Sequence, residues 1–245
     1  GEFYPPAEID LARLRVALRR DALVDVPDAL DDSQAAAMAN PGMSSWAALV
    51  ERARFEHGES VLVHGASGAS GRLAIGIARH LGARRIVATA RQPTAEAELR
   101  ALGADTFIAT EQPRDHLRAA FQRALVDEAV DVVLDYVWGP SAECLLAAIP
   151  PMHGQPARRI RFVQIGSMGG GSVSMPASVL RSSGLEMSGS GLGSVSRAAL
   201  LRSIAALFQA APSVGLTTEV IRHSLADVSH AWALETRARV VLTSS

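Results

Sequence analysis

A doubly wound α/β fold on a parallel sheet is the prediction for this chain of 245 residues, and three observations carry it. Residues 59–83, ESVLVHGASGASGRLAIGIARHLGA, read without interruption as strand, glycine turn and helix. From there onward, short β-rich runs alternate with helix-patterned segments, the mark of strands joined by helical crossovers. A composition of 48% hydrophobic and 20% charged residues is ordinary for a protein of that class.

In chain order, residues 11–25 carry apolar positions on a mixed pattern that Pro27 breaks. Asp31 or Asp32 is placed to cap a helix over 33–40, Pro41-Gly42 turns the chain, and a second helix runs over 44–54. Strands follow at 61–64, 86–89, 106–109, 130–135, 160–165 and 185–188. Helices stand between them at 71–81, 94–102, 114–126, 140–149 and 176–182. Right-handed crossovers then give one doubly wound sheet. A helix over 196–210, a short helix near 227–234 and a last strand at 238–242 close the chain. The linker falls at 154–157, and 169–174 forms a glycine-rich loop on the carboxyl edge of the sheet.

The glycine turn holds the first chemistry. Gly65, Gly68 and Gly71 recur at three-residue spacing, and Ala66-x-Gly68-x-x-Gly71 matches the dinucleotide fingerprint with alanine first. Gly68 lets the backbone approach the phosphates, Gly71 lets helix and strand pack closely, and free N–H groups at the helix start supply positive potential. Ala66, Ser67, Gly68, Ala69, Ser70 and Gly71 are therefore candidate cofactor contacts. The alternative is a strand-to-helix connection that merely needs glycine, and the flanking strand and helix weigh against it. The second strand ends in Arg91, where an NAD site wants Asp or Glu for the ribose 2′-hydroxyl. A guanidinium there suits a 2′-phosphate, and no carboxylate stands between Arg85 and Thr94. NADPH is favoured over NADH.

Other features exclude function classes. A net charge of -1 gives no electrostatic case for nucleic acid or an anionic membrane. All 24 basic residues are arginine, so neither a Walker A loop nor a Tyr-x-x-x-Lys catalytic pair can be assembled. Cys144 is the single cysteine, which rules out an intrachain disulfide, and it reads as buried and inert. Histidines at 57, 64, 80, 116, 153, 223 and 230 show no metal-ligand spacing, so no metal site is expected. No apolar run approaches membrane-spanning length and the start lacks a signal peptide's pattern, so a cytoplasmic location is expected. His64 reads as a satisfied core histidine. Asp135 and Tyr136 end a strand where sites in open sheets gather, and Tyr136 is either a proton donor or a packing surface for ribose or adenine.

Beyond these local readings, AAAMANPGMSSWAALVERARFEHGESVLVHGASGASG resembles the start of the cofactor domain of medium-chain dehydrogenases/reductases, in the zinc-independent quinone oxidoreductase branch. The similarity continues through LGAD (102–105), DVVLDYVWG (131–139), FVQIGS (162–167) and AWALETRARVVL (231–242). It implies a Rossmann domain that binds NADPH and transfers hydride to a quinone, enone or other activated carbonyl compound. On that likeness Gly68 and Gly71 meet the pyrophosphate and Arg91 the 2′-phosphate. Gly166 and Ser167 lie near the nicotinamide riboside, Trp138 lies beside the cofactor, and 188–194 passes the carboxamide. The likeness also implies a homodimer joined near 185–190. Two departures stand out. Ala69-Ser70 replaces the usual Gly-Val pair, and of the family's GroES-like catalytic domain only the last strand region, 15–27, is recognised. The organisation expected is a remnant of that domain over 1–30, the NADP-binding domain over 31–210 and a C-terminal return segment over 211–245. A non-catalytic NADP-binding protein (a redox sensor, a regulator or a truncated remnant) has the same features, and turnover separates the two.

Overall fold

The computed structural model describes residues 22–151 and 158–244; the linker expected at 154–157 and most of the run at 11–25 lie outside them. The main sheet has six strands: β1 (Ser60–His64), β2 (Arg85–Ala90), β3 (Thr106–Ala109), β4 (Val130–Asp135), β5 (Arg159–Gln164) and β6 (Gly184–Gly189). Their order is β3-β2-β1-β4-β5-β6 with every neighbouring pair parallel, the Rossmann order, whose direction reverses between β1 and β4. The crossovers are α2 (Ala69–His80), α3 (Glu96–Ala101) after a 3-10 turn, α4 (Arg114–Asp127), α5 (Gly139–Ala147) and α6 (Ala177–Arg181).

All five residues of β1 are buried, as a strand covered on both faces requires. Successive side chains serve opposite layers. Val61 and Val63 join Ile86, Val132 and Leu134 under the first helical layer, packed with Leu49, Leu73, Ile77 and Leu207. Leu62 joins Val87, Val133 and Phe162 under the second, with Leu117, Phe121, Leu125 and Leu145.

Before the sheet, α1 (Asp32–Ala47) continues into a π-helical turn, Ala48–Ala53, which Arg54 ends in the left-handed conformation. Asp31 is the cap, accepting from the Gln34 N–H at 3.1 Å. The turn expected at Pro41-Gly42 does not occur, because both residues are buried against neighbouring helices and tertiary packing outweighs the local preference. A Cβ on Gly42 would stand 2.5 Å from Leu207 Cδ2, so glycine lets α7 (Arg197–Val214) come close. That helix, expected to stop at residue 210, runs on through Pro212 to a left-handed Gly215.

One strand was not foreseen. β7 (Val220–Ser224) pairs in parallel with β8 (Arg239–Thr243) as a separate two-stranded sheet. It is tied to the start of α1: Arg222 donates to Ser33 Oγ and Asp31 Oδ1, each at 2.7 Å, and Gln34 exchanges two bonds with the Thr218 backbone, both 3.0 Å. A short helix α8 (Val228–Trp232) lies between these strands.

Candidate functional site

Where the sheet's direction reverses, the loops after β1 and β4 part and leave a cleft of about 910 Å³ across the carboxyl ends of the strands. Its centre is the turn from β1 into α2, whose three glycines have different reasons to be there. Gly65 adopts φ +89, and a Cβ would lie 2.6 Å from Val137 Cγ2, so the tight-turn role falls to Gly65 and not to Ala66. Gly71 lies against the turn itself, with a Cβ position 2.5 Å from both Ala66 Cα and Gly65 O. Gly68, the N-cap of α2, has φ −78, and the nearest atom to its Cβ position is Gly65 O at 4.0 Å. Ser67, Gly68, Ala69, Ser70 and Gly71 all line the cleft, and the unpaired first-turn N–H groups of α2 belong to this edge. Ala66 is fully buried, its N–H donating to Thr89 O at 2.7 Å, and it lies outside the lining.

One end of the cleft is formed by Arg91, Thr110 and Glu111. The Arg91 side chain is 81% exposed and stands 3.6 Å from Glu111, whose carboxylate also accepts from the Gln92 side chain. The stretch from Arg85 to Thr94 holds no carboxylate, but the β2–β3 pairing brings one from another strand. The Glu111 N–H donates to Arg91 O at 3.1 Å, which sets the two residues side by side.

The other end is made by Tyr136, Val137, Ile165, Gly166, Met168 and Gly169. Gly166 is needed there because a Cβ would fall 2.6 Å from Tyr136 O. Ser167 and Trp138 face elsewhere. They line a separate, shallower depression with Gln164, Met187, Ser188 and Gly189, the last two being the only part of 188–194 that lines a cavity beside them. Trp138 has φ +57, and its indole packs edge-on against Phe162 with ring centroids 6.2 Å apart. The structure thus gathers Ser67 to Gly71, Arg91 and Gly166 around one cleft and leaves Ala66, Ser167 and Trp138 out of its lining.

Under the turn lie two buried titratable groups. His64 bonds Thr89 Oγ1 through Nδ1 at 2.8 Å and Ser141 Oγ through Nε2 at 2.9 Å, and burial pushes its pKa down to about 4. It is a neutral, satisfied core residue. Asp135 accepts from the Val137 and Trp138 N–H groups at 2.9 and 3.0 Å; burial, partly offset by these bonds, pushes it up to about 6. The Asp135 side chain holds the loop after β4, and the imidazole ties β1 to β2 and α5 beneath the cleft.

The opposite wall comes from α1, through Asn40, Pro41 and Ser44, and Arg239 of β8 also reaches the lining. None of these stood out in the sequence, because each reaches the cleft through packing of distant elements. Gly65 was legible beside the fingerprint. Among the described residues no group of three or more His, Cys, Asp or Glu is placed to hold a metal ion, and Cys144 is buried in α5. No helix among them is long and apolar enough to cross a membrane.

A family described as zinc-binding dehydrogenase matches residues 69–209. Among curated proteins, a probable NADPH-dependent quinone reductase, tdiC of Emericella nidulans, is 34% identical over 201 residues, covering 76% of this chain and 54% of that protein. The polyketide synthase GfsB of Streptomyces halstedii is 37% identical over 168 residues, which are 68% of this chain and 2% of the synthase. The chain therefore spans about half the length of the first and a small part of the second. A solved mycobacterial quinone oxidoreductase shares the fold with a TM-score of 0.76 at 23% identity, over 91% of this chain and 68% of that one.

Proposed function

The chain belongs to the zinc-binding dehydrogenase family, with a quinone oxidoreductase-like cofactor domain of the medium-chain type, and we propose that it serves an NADPH-dependent reductase of quinones, enones or other activated carbonyl compounds. The observation that carries this reading is Gly68. The protein itself requires Gly65 by its backbone angle and Gly71 by packing, whereas nothing in the protein crowds Gly68, and the space over it opens to the cleft. A pyrophosphate over the start of α2 is the group that uses such room.

The remaining residues fit a dinucleotide laid across the switch point. Arg91, Thr110 and Glu111 would hold the adenosine end, with the exposed Arg91 guanidinium available to a 2′-phosphate. Tyr136, Val137 and Gly166 would border the nicotinamide end. The bound cofactor supplies a hydride; the chain's part is to position it against the acceptor and exclude water. A zinc ion does not fit in the same way, since the described residues offer no cluster of donors to hold one. The acceptor is a small molecule; the near-neutral net charge of -1 gives no support for nucleic acid or an anionic membrane as partner.

The test is titration of the purified chain with NADPH and NADH, followed by addition of a simple quinone while the reduced-nicotinamide absorbance is watched. Preferential NADPH binding with oxidation on adding quinone is the expected result. In Arg91→Ala the preference for NADPH over NADH should fall about tenfold, as loss of a charge-assisted contact predicts. Binding without turnover would favour the non-catalytic reading, and absence of binding would overturn the assignment of Gly68 and Arg91.

A further inference from the structure

Resting on the dinucleotide reading above, we propose that the hydroxyls of Tyr136 and Ser45 are a positioning clamp that ties the α1 wall of the cleft to the phosphate turn. Ser45 in α1 is fully buried, and Tyr136, the residue after β4, is 9% exposed. Their oxygens are 2.8 Å apart. Ser45 Oγ also lies 2.9 Å from Ser70 O, in the first turn of α2, and 3.1 Å from Pro41 O in its own helix.

Counting protons assigns the donors. Carbonyls only accept, and Ser45 has one proton to give. Pro41 O already accepts from Ser44 Oγ at 2.8 Å, so the Ser45 proton goes to the shorter contact, Ser70 O. Ser45 then accepts from Tyr136, and the phenol spends its proton inward. Burial also pushes the Tyr136 pKa up, which keeps the phenol neutral. Tyr136 is thereby removed as a proton donor to an acceptor in the cleft.

Three elements meet at this one hydroxyl: the end of β4, the helix that carries Asn40, Pro41 and Ser44, and the turn that presents N–H groups to a pyrophosphate. Holding two walls at one separation before the ligand arrives lowers the ordering cost of binding. The spacing of Ser45, Ser70 and Tyr136 along the chain gives no hint of this; the trio exists only after α1 passes straight through Pro41.

The test is a double-mutant cycle on the NADPH Kd with Tyr136→Phe and Ser45→Ala, each of which removes one oxygen. Hydrogen exchange over residues 69–74 is measured in parallel without cofactor, with urea unfolding to confirm that each variant is folded. Tyr136→Phe should raise Kd about fivefold, as expected for one net hydrogen bond, Ser45→Ala, which removes two, should raise it at least as much, and the double variant should be no weaker than Ser45→Ala alone. Exchange over 69–74 should quicken in all three, and Ser45→Ala alone carries the test should Tyr136→Phe fail to fold. Strictly additive losses, an unchanged Kd, or a fall confined to kcat at saturating NADPH would overturn the clamp; the last would make Tyr136 a proton donor after all. Should the wild type not bind NADPH, the functional reading fails separately, and unchanged exchange over 69–74 would then overturn the clamp by itself.

Discussion

Single residues in the β1–α2 turn divide what the fold needs from what the cleft needs. Gly71→Ala drives a Cβ into backbone at 2.5 Å, so urea unfolding should show a loss of about 1–3 kcal/mol from overpacking. Gly68→Ala meets nothing closer than 4.0 Å, so stability should change by less than about 1 kcal/mol, the scale of an N-cap substitution, while NADPH affinity falls. Equal stability losses in the two variants would count against the assignment. A second residue pair makes itself felt through pH. His64 and Asp135 are register partners on β1 and β4. Burial holds His64 at about 4 against 6.5, so its contribution to stability is lost as pH falls through that interval. Asp135 is held at about 6 against 3.8, so its proton is bound more tightly in the folded state and stability is lost as pH rises from about 4 to 6. The two slopes oppose, each spanning about 3 kcal/mol. Unfolding free energy measured from pH 4 to 7 should therefore rise more steeply with pH in Asp135→Asn than in wild type, and less steeply in His64→Gln. His64 was legible in sequence as a satisfied core histidine, whereas Asp135 was legible only as a strand-end residue and not by its buried setting. Arg91 shows the same limit: its own strand is free of acid, and Glu111 reaches it only across the β2–β3 ladder.

At the level of elements, legibility followed the range of the forces involved. The strand at 130–135 falls where its β-rich run and flanking turns put it, because a buried parallel strand carries its signal in its own residues; the outer strand at 106–109, where only Ile108 is buried, also falls where its short β-rich run puts it. Pro41-Gly42 misled, since a proline within a helix is decided by what packs around it, here α7 against Gly42. β7 escaped notice for a related reason. Its residues are mixed in character and none is fully buried, and its place comes from β8 and from Arg222 bonding to Asp31 and Ser33. β6 carries the element-scale prediction. It is an outer strand of the six, so one row of its backbone groups lacks a partner within the sheet. We expect two copies to associate through this edge, near Leu185 to Ser190, as a homodimer related by a twofold axis. Sedimentation velocity at micromolar concentration should give the dimer mass, and a monomer there would remove this proposal.

For the molecule as a whole, the doubly wound parallel sheet was the most legible property, because alternating strands and helices with right-handed crossovers leave few topologies. Whether the two halves of that sheet act as one unit is a separate matter, and the core answers it. The first apolar layer includes Ile86 and Ala88 of β2, Val61 and Val63 of β1, Val132 and Leu134 of β4 and Val163 of β5, so the packing crosses the switch point without a break. Unfolding one half would strip the other of its cover. A ligand that touches only the Arg91 end should then stabilise the entire domain, since linkage depends on saturation and not on which part is contacted. At 100 times its Kd, either NADPH or its adenosine fragment 2′,5′-ADP should add about 2.7 kcal/mol. For a domain of this size that raises Tm by about 5–10 °C in both cases. Calorimetry decides the point: equal shifts at equal saturation mean one cooperative domain. A second transition that 2′,5′-ADP leaves unmoved would mean that the β4–β6 half melts independently, and that the shared apolar layer does not couple them.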